Sequence, residues 1–447
     1  MKKTIIALAL TSAFAAPAMS YTFDPADLKD GFISDSKSYI RVKVENYNYD
    51  NKFNDGNGGR TELSDNETPL YIEYGFSSGY FKNWLGFDVA AFGTTMLDGL
   101  SEYRHTNLVD TGSYGLGNTS ADGKTQQQIG VAYLKTKFNL DIGTLKAGYG
   151  KKRRYTSMYN EKVVRVNEGS SRGLDVSLDL GQHKVWATVI DRFQNFGQAE
   201  YLRDIMTYTM SEQIDFLALT GVNGKFGDVN YKFEYATADD YIQKVFYQAD
   251  YTFKSIKTNV MLRGENLFDT GSKFEYDDAE AGKAHFVIRT NLSKDTTMSI
   301  KGTKIYGSDF FQFWGNPGTI SRSMLPNVML GNEIPLFEGE EALMLRFDQK
   351  LDTLVWPGLS AYAQYWKGWN AKHIVGYKRS EYILMVKQDF GKLHSALAGL
   401  SMKYQYSRHD GAGVDDGYRS SGNRVDNTYW LSDDHYRRLT LDYRLNF

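Results

Sequence analysis

Val229-Asn230-Tyr231-Lys232-Phe233-Glu234-Tyr235 places Val229, Tyr231, Phe233 and Tyr235 on one side of an extended chain, with Asn230, Lys232 and Glu234 on the other. A period of two belongs to a strand, because a helix would mix the two sets around its axis. The pattern recurs along the chain. At the end, Leu439, Leu441, Tyr443, Leu445 and Phe447 oppose Arg438, Thr440, Asp442, Arg444 and Asn446. Near the start, Ile40, Val42 and Val44 alternate with Arg41, Lys43 and Glu45, and later Leu343, Leu345 and Phe347 alternate with Met344, Arg346 and Asp348. Each segment has one face suited to hydrocarbon and one suited to water.

Working outward from these segments, eighteen candidate strands fall near 38–50, 68–77, 84–96, 126–138, 142–150, 172–180, 183–192, 213–222, 228–237, 241–253, 256–268, 284–293, 296–306, 341–351, 358–369, 379–390, 396–408 and 434–447. Gly181-Gln182, Lys254-Ser255 and Ser293–Asp295 are tight turns, whereas 97–125, 193–212, 307–340 and 409–433 are long polar connectors. Short and long connectors alternate, with one exception at 238–240. A sandwich or propeller has no reason to alternate in this way. The pattern predicts an all-β fold: a single transmembrane antiparallel β-barrel of about 18 strands, with short periplasmic turns and long extracellular loops. Hydrocarbon tolerates no unpaired backbone groups, so a spanning sheet must close on itself.

Composition agrees with this reading and narrows it. The chain has 32 Tyr, 26 Phe and 42 Gly but only 7 Pro, which suits aromatic-rich strands with one wet face. Lys2 and Lys3, the apolar run Ile5–Ala15 and small residues at Ala18 and Ser20 form a signal peptide over 1–20, leaving 21–447 as the barrel. No apolar stretch of the mature chain is long enough for a spanning helix. The 52 Lys and Arg against 54 Asp and Glu argue against a nucleic-acid partner. Without cysteine, an exported fold of this size relies on packing and a closed hydrogen-bond network. His105, His183, His285, His373, His394, His409 and His435 show no metal-ligand spacing, and no Gly-x-Ser-x-Gly turn occurs. No catalysis, cofactor or metal is expected.

Three local patterns resemble the OprD-type family of substrate-selective outer-membrane porins, which includes the chitoporins. Gly31-Phe32-Ile33-Ser34-Asp35-Ser36 is similar to the family's opening. Arg165 precedes Gly173 by eight residues, as in the family's Arg-Leu-Leu-Pro…Gly segment, although Glu168 stands where proline is usual. Pro357-Gly358-Leu359 leads to Tyr365-Trp366-Lys367-Gly368, with Lys367 in place of the family's arginine. The order is kept over nearly the whole mature chain, and the departures bear on the substrate more than on the fold. The terminal Phe447, closing an amphipathic strand, resembles the signal read by the bacterial barrel-assembly machinery.

With the apolar faces turned to lipid, Arg263, Arg289, Lys301, Arg346, Lys387, Lys403, Arg438 and Arg444 point into the lumen. The resemblance implies that such residues form a basic ladder for substrate carboxylates, and adds Arg165 and Lys367. The competing reading is that lumen cations are neutralised by Glu265, Asp348, Asp389 and Asp442. Lys151, Lys152, Arg153 and Arg154, followed by Arg172, read either as an electrostatic funnel at the mouth or as a solvated run against lipopolysaccharide phosphates. The resemblance implies that loops 151–171 and 307–340 fold inward. Phe310, Phe311, Phe313 and Trp314 in the second are read as a packed loop core rather than a stacking surface for sugars.

The expectation is an outer-membrane porin for passive diffusion of small polar, carboxylate-bearing solutes such as amino acids and organic acids. Oligosaccharide uptake of the chitoporin kind and a structural or adhesive barrel without an open pore are the alternatives. Outer-membrane lipid and lipopolysaccharide are the expected surroundings, and a homotrimer is compatible with an apolar outer wall.

Overall fold

The computed structural model describes residues 29–54, 60–98, 126–161, 169–194, 202–269, 271–275, 280–311, 313–315, 336–352, 354–417 and 431–447. The proposed signal peptide and Arg165 lie outside the described residues. Seven strands come first: β1 (Lys37–Asn54), β2 (Arg60–Ser77), β3 (Leu85–Asp98), β4 (Gln126–Leu140), β5 (Gly143–Lys152), β6 (Ser170–Leu180) and β7 (His183–Gln194). A short hairpin follows, β8 (Arg203–Met206) with β9 (Gln213–Ile214). The wall resumes with β10 (Leu217–Phe226), β11 (Val229–Ala238), β12 (Ile242–Phe253), β13 (Thr258–Asp269), β14 (Ala281–Asn291), β15 (Thr296–Gly307) and β16 (Glu341–Lys350). It is completed by β17 (Leu359–Trp369), β18 (Ile374–Asp389), β19 (Leu400–Asp415) and β20 (Asp433–Asn446).

Every long strand pairs antiparallel with its neighbour in sequence, β7 pairs with β10 across the hairpin, and β1 pairs with β20 from Tyr39–Asn446 to Lys52–Asp433. That last ladder closes an 18-stranded barrel and removes the sheet edge. All eighteen strands expected from alternation are present. The strand placed at 213–222 instead runs Leu217–Phe226, because Gln213 and Ile214 pair with β8. Segments 374–378 and 409–415, read as loop, are strand and pair through a bulge between Val375 and Lys378. Connector 370–373 is therefore short although it lies at the long-loop end, as the exceptional connector 239–241 does.

Alternation sorts the side chains as expected. Ile40, Ile72, Leu262, Phe286, Leu343, Leu345, Leu439 and Leu441 are exposed on the outer wall. Lys43, Glu45, Glu73, Glu234, Lys244, Arg263 and Glu265 are buried on the inner one. The apolar core is thus no barrel filling of aliphatic layers. Its largest cluster lies at the long-loop end, where Phe310, Phe311, Phe313 and Trp314 pack with Ile205, Tyr241, Leu336 and Phe337, and two small ones, Met344 with Trp366 and Tyr71 with Phe92, sit on the inner wall. Tyr208, Tyr241 and Phe274 meet Phe311 edge-on at 5.5, 6.4 and 5.8 Å. These four aromatics form a packed core, as their sequence reading favours.

Candidate functional site

After Lys152 the chain leaves the wall and crosses the inside of the barrel. Arg153 donates to Glu73 on β2 through both terminal nitrogens, at 3.0 and 2.6 Å. The hydroxyls of Tyr39 and Tyr71 also donate to that carboxylate. Arg154 turns the other way, to Asp175 on β6 at 2.8–3.1 Å and to the carbonyls of Ser171 and Gly173. Further on, the Ser157 backbone and hydroxyl donate to Glu234 on β11 at 2.8–3.1 Å. The Trp314 indole donates to the Met158 carbonyl at 2.7 Å, tying this segment to the aromatic cluster. Two buried lysines hold that cluster from below. Lys244 donates to the Phe313 carbonyl at 3.1 Å, and Lys283 lies 3.7 Å over the Phe310 ring.

Segment 153–155 stands between two cavities of about 440 Å³ each. One is lined by Tyr39, Arg41, Glu73, Asn160 and Arg444, the other by residues of β4–β7, β10 and β11, including Tyr133, Asp175, Trp186 and Glu234. Arg153 and Tyr155 line both. The run from Lys151 to Arg154 is therefore no funnel at the mouth. Lys151 and Lys152 end β5, and the next two cations are ion-paired inside the barrel with Glu73 and Asp175. Adjacent charges in sequence carry no information about which way a loop turns, and here inward carboxylates decide it. Arg172, on the outer face, pairs with Asp191.

Glu161 anchors the far end of this segment. Its carboxylate accepts from the Arg154 backbone and from the Tyr159 hydroxyl at 2.8 Å. Full burial raises its pKa to about 7, against the opposing pull of Arg154. The folded state thus holds the proton more tightly than the unfolded chain, so its contribution is complete below about pH 4.5 and is lost as pH rises through about 7. Channel current noise is expected to grow across that window, and Glu161→Gln should flatten the dependence. Unchanged pH-dependent noise in the variant would remove Glu161 as its source.

The ladder residues divide into two groups. Arg346 is bidentate to Asp348 at 2.5–3.0 Å and stacks 3.8 Å over Tyr362. Arg438, 2% exposed, pairs with Glu45 at 2.5 Å, and Arg263 donates to Gln248 at 2.8 Å. By contrast, Arg289, Lys301, Lys387, Lys403 and Arg444 have no ion-pair partner among the described residues. Lys387 lies directly opposite Lys403 across β18 and β19, on the inner face of both. Arg444 lies opposite Arg41 and 4.0 Å over the Tyr39 ring. Of the acids expected to neutralise the wall, Asp442 serves Arg41 and Asp389 caps a turn at Gly391. Like charges opposed across a ladder destabilise it, so the wall keeps positive charge at a cost to the fold.

One expected site residue fails. Lys367 shares the exposed outer face with Tyr365 and Trp369, while Trp366 and Gly368 point inward. Period two forces the assignment, and the family motif has no way to report it. Sequence reasoning misses Glu73, Glu234, Lys244 and Lys283, and meets Arg153 only within a charge run. The inward orientation of the four strand residues is legible from alternation, but their partners belong to distant segments.

The Arg438–Glu45 pair gives a stability prediction. Glu45→Ala strands a buried guanidinium and is expected to cost about 3–5 kcal/mol. Urea unfolding of the barrel in vesicles, followed by tryptophan fluorescence, measures this. A loss under about 1 kcal/mol, the worth of an exposed pair, would mean that Tyr436 or water compensates the guanidinium.

The model of an outer-membrane porin family, OprD, matches residues 30–447. The chain belongs to the OprD family of outer-membrane porins. Its place is therefore the bacterial outer membrane, and its fold is that of a family of channels. Among solved structures, Pseudomonas aeruginosa OpdK, determined with vanillate, is similar at 18% identity with a TM-score of 0.71, covering 93% of this chain and 100% of OpdK. OccK9 (OpdG) of the same organism is 16% identical with a TM-score of 0.72, covering 94% and 100% of the two chains. OccK3 (OpdO), also from P. aeruginosa, is 14% identical with a TM-score of 0.68, covering 94% and 98%. No curated protein sequence matches the chain. At these identities the OprD-family structures share the fold, and the substrate rests on this chain's own lumen.

Proposed function

We propose that this OprD-family porin passes small solutes carrying a carboxylate, by passive diffusion along the basic wall formed by β13–β16 and β18–β20. The observation that carries the reading is the opposed pair Lys387 and Lys403, inward and without an ion partner among the described residues. A fold has no use for two like charges facing each other, whereas a passing carboxylate neutralises both. Arg289, Lys301 and Arg444 extend the same unneutralised charge along neighbouring strands. Binding is weak enough to release because each cation remains in contact with lumen water. The segment 153–161 and the aromatic cluster around Phe311 narrow the path and set the size of solute admitted.

Single-channel recording in planar bilayers tests this, with vanillate, an aliphatic amino acid, a dicarboxylate and a neutral oligosaccharide added in turn. Small, anion-preferring openings interrupted by carboxylates support the reading. Interruption by the neutral oligosaccharide alone would replace it with sugar uptake. Absence of conductance from folded protein would favour a structural barrel.

A further inference from the structure

Of the outward cations near the long-loop end elsewhere, Arg172 pairs with Asp191 and Lys304 with Glu341 at 2.8 Å, while Lys151, opposite Arg172, donates to the Ile129 carbonyl and to Gln194. The arc formed by β17–β20 departs from this. Lys367, Lys378 and Arg437 are exposed on the outer face and have no ion-pair partner among the described residues. Arg408, also exposed, donates to Asp410 at 3.2 Å. Tyr382 stands opposite Arg408, and Tyr406 opposite Arg437, across adjoining ladders. The two tyrosine hydroxyls lie 3.3 Å apart, and both arginines are within electrostatic reach of Tyr406.

Directly towards the short-turn end, the same strands expose Leu384, Val386, Tyr404, Leu439 and Leu441. The arc therefore joins unneutralised cations and paired hydroxyls to an apolar strip along one continuous surface. Cations within hydrocarbon would be costly, so this row marks the level of the lipid headgroups. A ligand that satisfies the whole surface carries phosphate, sugar-like hydroxyls and acyl chains in that order. We infer that Arg437 and Lys367, with the Tyr382–Tyr406 hydroxyl pair and Arg408 held beside Asp410, form a binding site for the phosphate groups of an outer-leaflet glycolipid. Lys367, outside the lumen, then has its role at the membrane rather than with the solute. Basic pockets at a membrane interface take anionic headgroups by the same electrostatics.

The test is retention of bis-phosphorylated lipid A by the purified full-length barrel in detergent, counted by native mass spectrometry. Arg437→Gln with Lys367→Gln is expected to weaken retention by about thirtyfold, a factor of about five for each cation removed from an anionic headgroup. Lys367→Gln alone should give about fivefold. Removing the lipid A phosphates should bring the native protein to the level of the double variant. Heat-dependent gel mobility shows whether each variant is folded. Equal retention by folded variant and native protein would overturn the site. So would undiminished binding of dephosphorylated lipid A, or displacement by inorganic phosphate at the lipid's own concentration, which would mean a plain anion site. A change in oligomeric mass with bound lipid unchanged would assign the arc to contact between copies of the chain instead.

Discussion

Arg153→Ala is expected to raise single-channel conductance several-fold and to weaken discrimination among solutes by size. The side chain spans from the inward-turning segment to Glu73 on β2, and it lines both cavities. Truncation removes a charged bridge in the middle of the aqueous path and joins two volumes of about 440 Å³. Loss of the bridge leaves Glu73 beside the hydroxyls of Tyr39 and Tyr71, which keep part of its hydrogen bonding. The segment itself stays attached through Arg154 to Asp175 and through Ser157 to Glu234. Arg153→Met separates bulk from charge: it should restore most of the narrowness without the ion pair. Conductance unchanged in both variants would mean that the path runs entirely on one side of the segment.

Lys387→Gln combined with Lys403→Gln is expected to shorten the dwell time of a bound carboxylate by about thirtyfold. The figure follows from about 1 kcal/mol per unit charge at 4 Å in water-like surroundings, summed over two cations. The same change should stabilise the barrel by about 0.2–1 kcal/mol, because it removes like charges facing each other across a ladder. Opposite signs for the two effects distinguish a functional pair from an incidental one. Bilayer recording measures the first effect and urea unfolding the second. A stabilised barrel with unchanged dwell times would place the solute path on another wall, and the cavity at Tyr39, Arg41 and Arg444 would be the next place to look.

Both predictions depend on separating the cations that hold the structure from those left for a solute. Arg438, Arg346, Arg153 and Arg154 are engaged with carboxylates on the inner wall. Removal of Arg346, Arg438 or Arg154 should register chiefly in stability or loop position, and removal of Arg153 in the width of the path. Lys387, Lys403, Lys301 and Arg289 are not so engaged among the described residues. Arg has the planar fork that suits bidentate pairing, and Lys is a point charge on a flexible stem. The ion-paired ladder positions Arg346 and Arg438 are both arginines, whereas the open positions mix Lys301, Lys387 and Lys403 with Arg289 and Arg444, so residue type alone does not set the division.

Sequence alone determined the wall. Alternation fixes which side chain meets lipid at Val229–Tyr235 or Leu439–Phe447, because a strand's period of two leaves no other choice. The requirement that every backbone group in hydrocarbon be paired then closes the sheet, and strand count follows from counting segments. For the same reason the inward placement of Arg263, Arg289, Lys301, Arg346, Lys387, Lys403, Arg438 and Arg444 follows from strand parity alone. Lys367 shows the limit of a motif: the family pattern points it to the lumen, and the parity of its own strand turns it outward. Arg165 lies outside the described residues. Tertiary structure decided everything that crosses the lumen. Arg153 finds Glu73, Ser157 finds Glu234, and Trp314 finds Met158, pairs separated by 80, 77 and 156 positions. Irregular segments have no period, so neither their direction nor their partners are written in local pattern. The unneutralised pair Lys387 and Lys403 depends on the register of two neighbouring strands, which a shift of one residue would abolish.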